Sequence, residues 1–214
     1  MKILKNNTII ALYVICLFAL SFAWNWPWES DYKNNIKINL KKGNYLINKE
    51  DSIVKWKGQK VVGSAHVGDI QIKDANIEID EKGNIIGNVI IDMKTINCTD
   101  LEGDWKYNLE GHLKSDDFFG VDKYNYSEIK FKSIKQNESK INFDADLTIK
   151  GITHPIIFDA DFIDTKDKII ANSNITFDRA KYNVKYGSGS FFDNLGDNMI
   201  SDYIDMEVVI VINK

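Results

Sequence analysis

The side chains best able to do chemistry here are three histidines, His66, His112 and His154, and the carboxylates around the second of them in Glu110–Phe119 (EGHLKSDDFF). A zinc-type centre takes nitrogen, sulfur or oxygen ligands, and its usual sequence mark is two ligands a few residues apart on one element. Each histidine instead stands alone on its own segment, without HxH, HExxH or CxxC spacing. If distant strands brought the three together, Asp116 or Asp117 would complete a tetrahedral set. Each has a simpler reading as a hydrogen-bonding residue at a strand end or on a barrel lining. Acid–base work by Glu110, Asp116 or Asp117 needs a shifted carboxylate beside a positioned substrate. Adjacent acids at a helix start are ordinarily solvated charge that suits the helix dipole. Ser115 with His112 lacks the Gly-x-Ser-x-Gly turn of a hydrolase nucleophile. What remains is apolar: Phe118-Phe119 and a second pair, Phe191-Phe192. Two adjacent rings seldom both face water, so each pair is expected to send at least one inward. The expectation is no catalytic residue, no metal and no cofactor.

The elements that must hold these residues are strands. From Tyr45 onward the hydropathy alternates with period two, the mark of a strand with one dry and one wet face. In Ile141–Lys150 the dry face is Ile141, Phe143, Ala145, Leu147 and Ile149, and the wet face is Asn142, Asp144, Asp146, Thr148 and Lys150. Similar patterns cover residues 45–57, 61–73, 75–80, 85–93, 126–135, 156–162, 169–177 and 204–212, which makes eight or nine strands. Long antiparallel strands with alternating large and small dry-face residues favour a closed barrel, which has no exposed edges. Eight strands leave room either for a filled interior or for one small ligand. One stretch departs from the pattern. Leu101, Trp105, Leu109 and Leu113 recur at helical spacing between residues 95 and 123, and Gly111 predicts a break into two short helical pieces. Ser115, followed by Asp116 and Asp117, is the expected N-cap of the second piece.

The N-terminus bounds the compartment. Lys2 and Lys5 precede an apolar run from Ile9 that ends in Ser21-Phe22-Ala23, which predicts a secretory signal over residues 1–23. The run is shorter than the roughly 20 residues a spanning helix needs. An exported protein, periplasmic or at the cell surface, is expected. Residues 24–43 form a polar lead-in with Trp24, Trp26 and Trp28, indoles suited to a membrane interface or to capping the domain. The chain has 27 basic and 31 acidic residues, for a net charge of −4. The leader holds two of the lysines and no acid. An acidic domain without a basic cluster is a poor match for nucleic acid. Cys98 is the lone thiol beyond the leader, so no internal disulfide is expected; its readings are pairing with a second copy in a homodimer, reaction, or, most simply, a small half-buried side chain.

Glu110–Val121 (EGHLKSDDFFGV), Leu147–Pro155 (LTIKGITHP), Phe177–Tyr186 (FDRAKYNVKY) and Gly187–Asp197 (GSGSFFDNLGD) resemble the YceI-like family, in its order and spacing, over residues 44–214. The last motif is similar to a branch seen in Bacteroidetes-type bacteria. The resemblance implies an exported, lipocalin-like antiparallel barrel whose elongated cavity holds a polyisoprenoid or similar long-chain amphiphile, with no catalytic activity. On that reading Trp56, Ile70, Leu113, Phe118, Phe119, Phe131, Phe143, Phe158, Phe177, Phe191 and Phe192 line or gate the cavity. His66, His112, Arg179, Tyr182 and Tyr186 meet a head group at the mouth, with transient membrane contact as the lipid passes. Arg179 has a second reading, as a brace paired with Asp178 or another carboxylate. Gly187-Ser188-Gly189 offers backbone N–H groups to a phosphate, a weak signal. Two other functions stay open: a metal-dependent enzyme built on the three histidines, and a protein-interaction barrel with a filled interior.

Overall fold

A computed structural model describes residues 41–136 and 140–214. The leader, the three lead-in tryptophans and Asn137, which the sequence pairs with Gln136 in a turn between two strands, lie outside the described residues. The elements run β1 (Gly43–Tyr45), β2 (Ile53–Gln59), β3 (Ala65–Ile79), β4 (Ile85–Cys98), α1 (Gly103–Lys114), β5 (Tyr126–Gln136), β6 (Lys140–Ile149), β7 (Ile152–Asp164), β8 (Lys168–Asp178) and β9 (Tyr203–Asn213). Every neighbour pairs antiparallel in the order β3-β2-β9-β8-β7-β6-β5-β4, and β4 pairs back onto β3 to close eight staves. β1 and β2 share one edge of β3, β1 at Ile77–Ile79 and β2 at Ala65–Asp69. They form one stave interrupted by a turn, where period two alone predicts a continuous strand over residues 45–57. Conversely, residues 61–73 and 75–80 merge into the single long β3.

The predicted dry faces point inward. On β6 Ile141, Phe143, Ala145 and Ile149 are buried, and the alternate aspartates stay partly exposed. Branched aliphatic and aromatic side chains suit such a half-buried pleated surface, and each fully buried one contributes roughly 1.5–3 kcal/mol. Two irregularities shape the wall. The β3–β4 register jumps between Asp69↔Asn97 and Gln71↔Asp92, so β4 carries extra residues there. The excursion is held by the Thr95 hydroxyl, which donates to the Asp92 carbonyl and accepts from the Gln71 N–H. It lets Met93 and Ile96 both face the core. At Gly68 a Cβ would lie 1.9 Å from the Asn97 carbonyl oxygen and 2.4 Å from the Trp56 ring. Glycine there makes room for the indole, whose Nε1–H donates to the Asp69 carbonyl.

α1 is one helix through Gly111, not two pieces. Ser115 ends it rather than starting another: its N–H bonds the Gly111 and His112 carbonyls, and its hydroxyl donates to His112. The predicted apolar stripe is also incomplete, because Trp105 is exposed. Leu109 and Leu113 do turn toward the barrel.

Candidate ligand-binding site

The staves enclose a cavity of about 440 Å³ that runs from Ile79, Ile85 and Ile212 up to Lys60, Ser64, His66 and His112. That volume falls in the range of small-molecule sites, roughly 300–1,000 Å³. Its wall is almost wholly apolar. Phe131 on β5, Phe143 on β6 and Phe158 on β7 form a cross-strand series, with ring centroids 5.3 and 5.1 Å apart and the second pair stacked at 7°. Of the hydrogen-bonding groups, Gln59, Lys60, Ser64 and His66 come from β2, β3 and the turn between them and His112 from α1, while Ser127, Glu128 and Ser173 add polar atoms from β5 and β8. The cavity thus offers a guest dispersion contact along its length and polar partners at its mouth.

α1 and the turn after it cover one side of the cavity and form what is here termed its lid. Of the EGHLKSDDFF side chains, Leu113, Phe118 and Phe119 face the cavity, and His112 lines its edge. His112 stands edge-on to Tyr186 at 4.2 Å and to Phe118 at 5.7 Å. The carboxylates are structural or solvated. Glu110 accepts the Cys98 N–H at 2.8 Å between Lys106 and Lys114, Asp116 pairs with Lys123 at 3.1 Å, and Asp117 is exposed. Lys150 then ties the turn after α1 to the barrel, its ammonium donating to the carbonyls of Asp116, Phe118 and Asn183 at 3.0, 2.8 and 3.4 Å. Burial pushes the Lys150 ammonium below its ordinary pKa, and the charges of Asp116 and Asp117 push back. Lys150 takes the left-handed conformation (φ 52°) ahead of Gly151 (φ 73°), the two-residue turn of the β6–β7 hairpin. Reading single residues by hydropathy misses this anchor, since a lysine at a hairpin tip is normally solvated.

Eleven of the sixteen expected site residues line the cavity: Trp56, His66, Ile70, His112, Leu113, Phe118, Phe119, Phe131, Phe143, Phe158 and Phe177. Five do not. Arg179 is wholly buried, its Nε, Nη1 and Nη2 donating to the carbonyls of Ser201, Val184 and Ile200, with Asp202 at 3.4 Å from Nη2. Burial pushes the guanidinium pKa down, and Asp202 and then Asp178 oppose it. It braces the β8–β9 connection and, being wholly buried, lies out of reach of a head group. The Asp202 Oδ1 beside it makes no well-aligned hydrogen bond, so the pair is held by charge, while Oδ2 accepts the Ser190 hydroxyl. Tyr182 is buried under the lid with Phe118, Ile149 and Val184. Tyr186 backs His112 from outside the cavity wall. Phe191 and Phe192 are 41% and 50% exposed, so neither ring of that pair turns inward. The cause is Ser188, which is fully buried and whose carbonyl accepts the N–H groups of both phenylalanines. In the Gly187-Ser188-Gly189 turn the Ser188 N–H donates to the Lys185 carbonyl, and the Gly187 carbonyl accepts the Ile200 N–H. Aliphatic cavity residues outside the expected set, such as Ile77, Val89, Ile175 and Ile210, sit on the same alternating faces and were open to the same reasoning.

The three histidines do not gather. His66 Nδ1 faces Asp100 Oδ2 at 3.0 Å, His112 packs on aromatics, and His154 Nε2 bonds the Lys181 carbonyl at 3.0 Å. The open cavity likewise overturns a filled interior. A polar knot closes the β3–β4 end: the Cys98 thiol donates to Asp100 Oδ1 at 3.1 Å, and the Val67 N–H donates to the same oxygen. Burial, and then the Asp100 carboxylate, push the thiol pKa up. Burial would raise Asp100, but hydrogen bonds from Cys98, Val67 and His66 outweigh it and hold the carboxyl below its ordinary range.

Residues 45–212 match the family described as the YceI-like domain. A UPF0312 protein of Staphylococcus aureus (strain bovine RF122 / ET3-1) is 33% identical over 84 residues, 36% of this chain and 47% of that protein. One from Vibrio parahaemolyticus is 33% identical over 99 residues, 45% of this chain and 46% of that protein. The chain spans about half the length of these curated relatives. Among solved structures, BcnA of Burkholderia cenocepacia superposes with a TM-score of 0.61 at 18% identity, covering 78% of this chain and 99% of that one. A polyisoprenoid-binding domain from Saccharophagus degradans does so at 0.58 and 14%, covering 81% and 99%. Both likenesses show the fold.

Proposed function

This chain belongs to the YceI-like family, and on that footing we propose that it binds a long-chain amphiphile, a polyisoprenoid, isoprenoid quinone or fatty-acid derivative, with its tail in the barrel and its head at the mouth. The observation that carries the reading is the apolar cavity of about 440 Å³ with polar groups at its mouth. The polyisoprenoid-binding domain of similar fold supports the ligand class. Each methylene moved from water into such a cavity contributes about 0.8 kcal/mol, so ten contribute on the order of 8. Against a membrane the net gain is near zero, because lipid is equally dry. Fit to the wall and contacts from His66 and His112 then decide retention. That balance suits carrying or sequestering a lipid rather than transforming it. In the same proposal, residues 1–23 direct export to the periplasm or cell surface, and membrane contact is transient.

The test is native mass spectrometry of protein purified from its own host without detergent, followed by solvent extraction. A stoichiometric lipid adduct is expected, and Ala171→Phe, which puts a ring on the cavity wall, should fold but lose it. Empty wild-type protein that also takes up no added prenyl or acyl probe would sink the proposal.

A further inference from the structure

The knot at the β3–β4 end brings together three kinds of metal ligand. The pairing Gly68↔Cys98 puts the Cys98 thiol on the inner side of the sheet, beside His66 two residues before Gly68 on β3. Asp100 lies just past the end of β4, its carboxylate fixed by the Val67 N–H. Among the described residues, His66, Cys98 and Asp100 are the one group of three whose ligand atoms, Nδ1, Sγ and a carboxylate oxygen, all lie within 4.8 Å of one another.

We propose that His66, Cys98 and Asp100 form a binding site for one divalent cation of the zinc class. A zinc ion sits about 2.3 Å from sulfur and about 2.0–2.2 Å from nitrogen or oxygen, which puts tetrahedral ligands roughly 3.3–3.6 Å apart. The carboxylate now stands 3.0 Å from Nδ1 through Oδ2 and 3.1 Å from Sγ through Oδ1. All three ligand atoms lie within 4.8 Å of one another, so turning the carboxylate to offer one oxygen and bringing the imidazole and thiol to tetrahedral spacing takes side-chain rotations alone. On binding, the thiol proton leaves to solvent, sulfur and the imidazole nitrogen each donate a pair to the ion, and no oxidant or reductant is required. One sulfur with one nitrogen favours zinc over magnesium or calcium, which prefer all-oxygen shells. His66 and Asp100 are partly exposed, which gives the ion a way in. His66 also borders the cavity, so the fourth position opens at its edge. The site stands on its own ligands and does not depend on the lipid reading.

The test uses full-length, lipid-extracted protein, stripped with a chelator and kept reduced under nitrogen. Titration with Co²⁺ should give one equivalent of tetrahedral d–d bands with a thiolate-to-cobalt charge-transfer band, all erased by one equivalent of Zn²⁺. Cys98→Ser should abolish the charge-transfer band, and His66→Gln should raise the metal needed for half-saturation at least about tenfold. Zinc-edge X-ray absorption of the unmodified protein needs no variant to fold and should count one sulfur neighbour. Absence of the charge-transfer band, a band untouched by His66→Gln, or a zinc shell without sulfur would each overturn the proposal and leave a hydrogen-bonded trio only.

Discussion

Two phenylalanine pairs occupy two loops of this barrel, and they meet opposite fates. Phe118 is 5% exposed and Phe119 lines the cavity beside it, while Phe191 and Phe192 are 41% and 50% exposed. The dipeptides are identical, so hydropathy does not separate them. The backbone does. After α1 the chain turns tightly, with the Phe119 N–H on Leu113, the Gly120 N–H on Ser115 and the Val121 N–H on Lys114. Lys150 holds the outer carbonyls of that turn, so both rings are driven inward. In the second loop Ser188 takes the interior position and the two rings that follow are left outside. Which residue the main chain anchors decides which side chain is buried.

The largest expected loss lies at the anchor of the second loop. Arg179→Met should cost about 3–5 kcal/mol in urea unfolding, because it strands Asp202 and three carbonyls. Loss no greater than that of a surface variant would remove Arg179 as the brace. Phe118→Ala should cost about 3 kcal/mol, the low end for a buried ring because the site already borders a cavity. Lys150→Met releases the lid turn and should cost about 1.5–3 kcal/mol, with faster lipid dissociation in stopped-flow exchange. A slower or unchanged off-rate would mean the turn is no lid. Tyr182 sharpens the contrast by pH. Burial, helped by the Asp178 charge, pushes its phenol from an ordinary 10 up to about 12. The folded state then holds that proton more tightly than the unfolded chain. Its contribution is whole below pH 10 and drains away as pH climbs toward 12. The stability gap between wild type and Tyr182→Phe should therefore change across that window and stay flat below it. Phe192→Ser should move stability by less than about 0.5 kcal/mol.

Much of the barrel was legible because period two is a local signal. Ile141, Phe143, Ala145, Leu147 and Ile149 announce their face within one strand, and Phe131, Phe158 and Phe177 follow by the same rule. The failures are residues whose environment is set from far along the chain. Arg179 has two readings in the sequence, a head-group contact or a brace on a carboxylate, and it is Ser201, Ile200 and Asp202, some twenty residues on, that decide for the brace. Lys150 reads as one more residue on the wet face of its strand, although its ammonium holds the turn after α1. Ser115 looks like a helix start because its acidic neighbours suit one, yet the helix runs through Gly111 and stops there. Cys98, His66 and Asp100 meet only because the β3–β4 register places residue 68 opposite residue 98, a pairing no spacing rule reveals.

Seven of the eight junctions between staves join strands that are neighbours in sequence, five as hairpins and two across the longer connections 99–125 and 179–202. The eighth joins Ile53 to Val209. That seam cannot form until the final strand arrives, and contacts so distant in sequence form slowly. Without it, the remaining staves can make only an open trough with their apolar faces uncovered. A hydrophobic passenger lying in the trough at that moment would be sealed in as the last strand docks, loaded without ever having to thread the entrance.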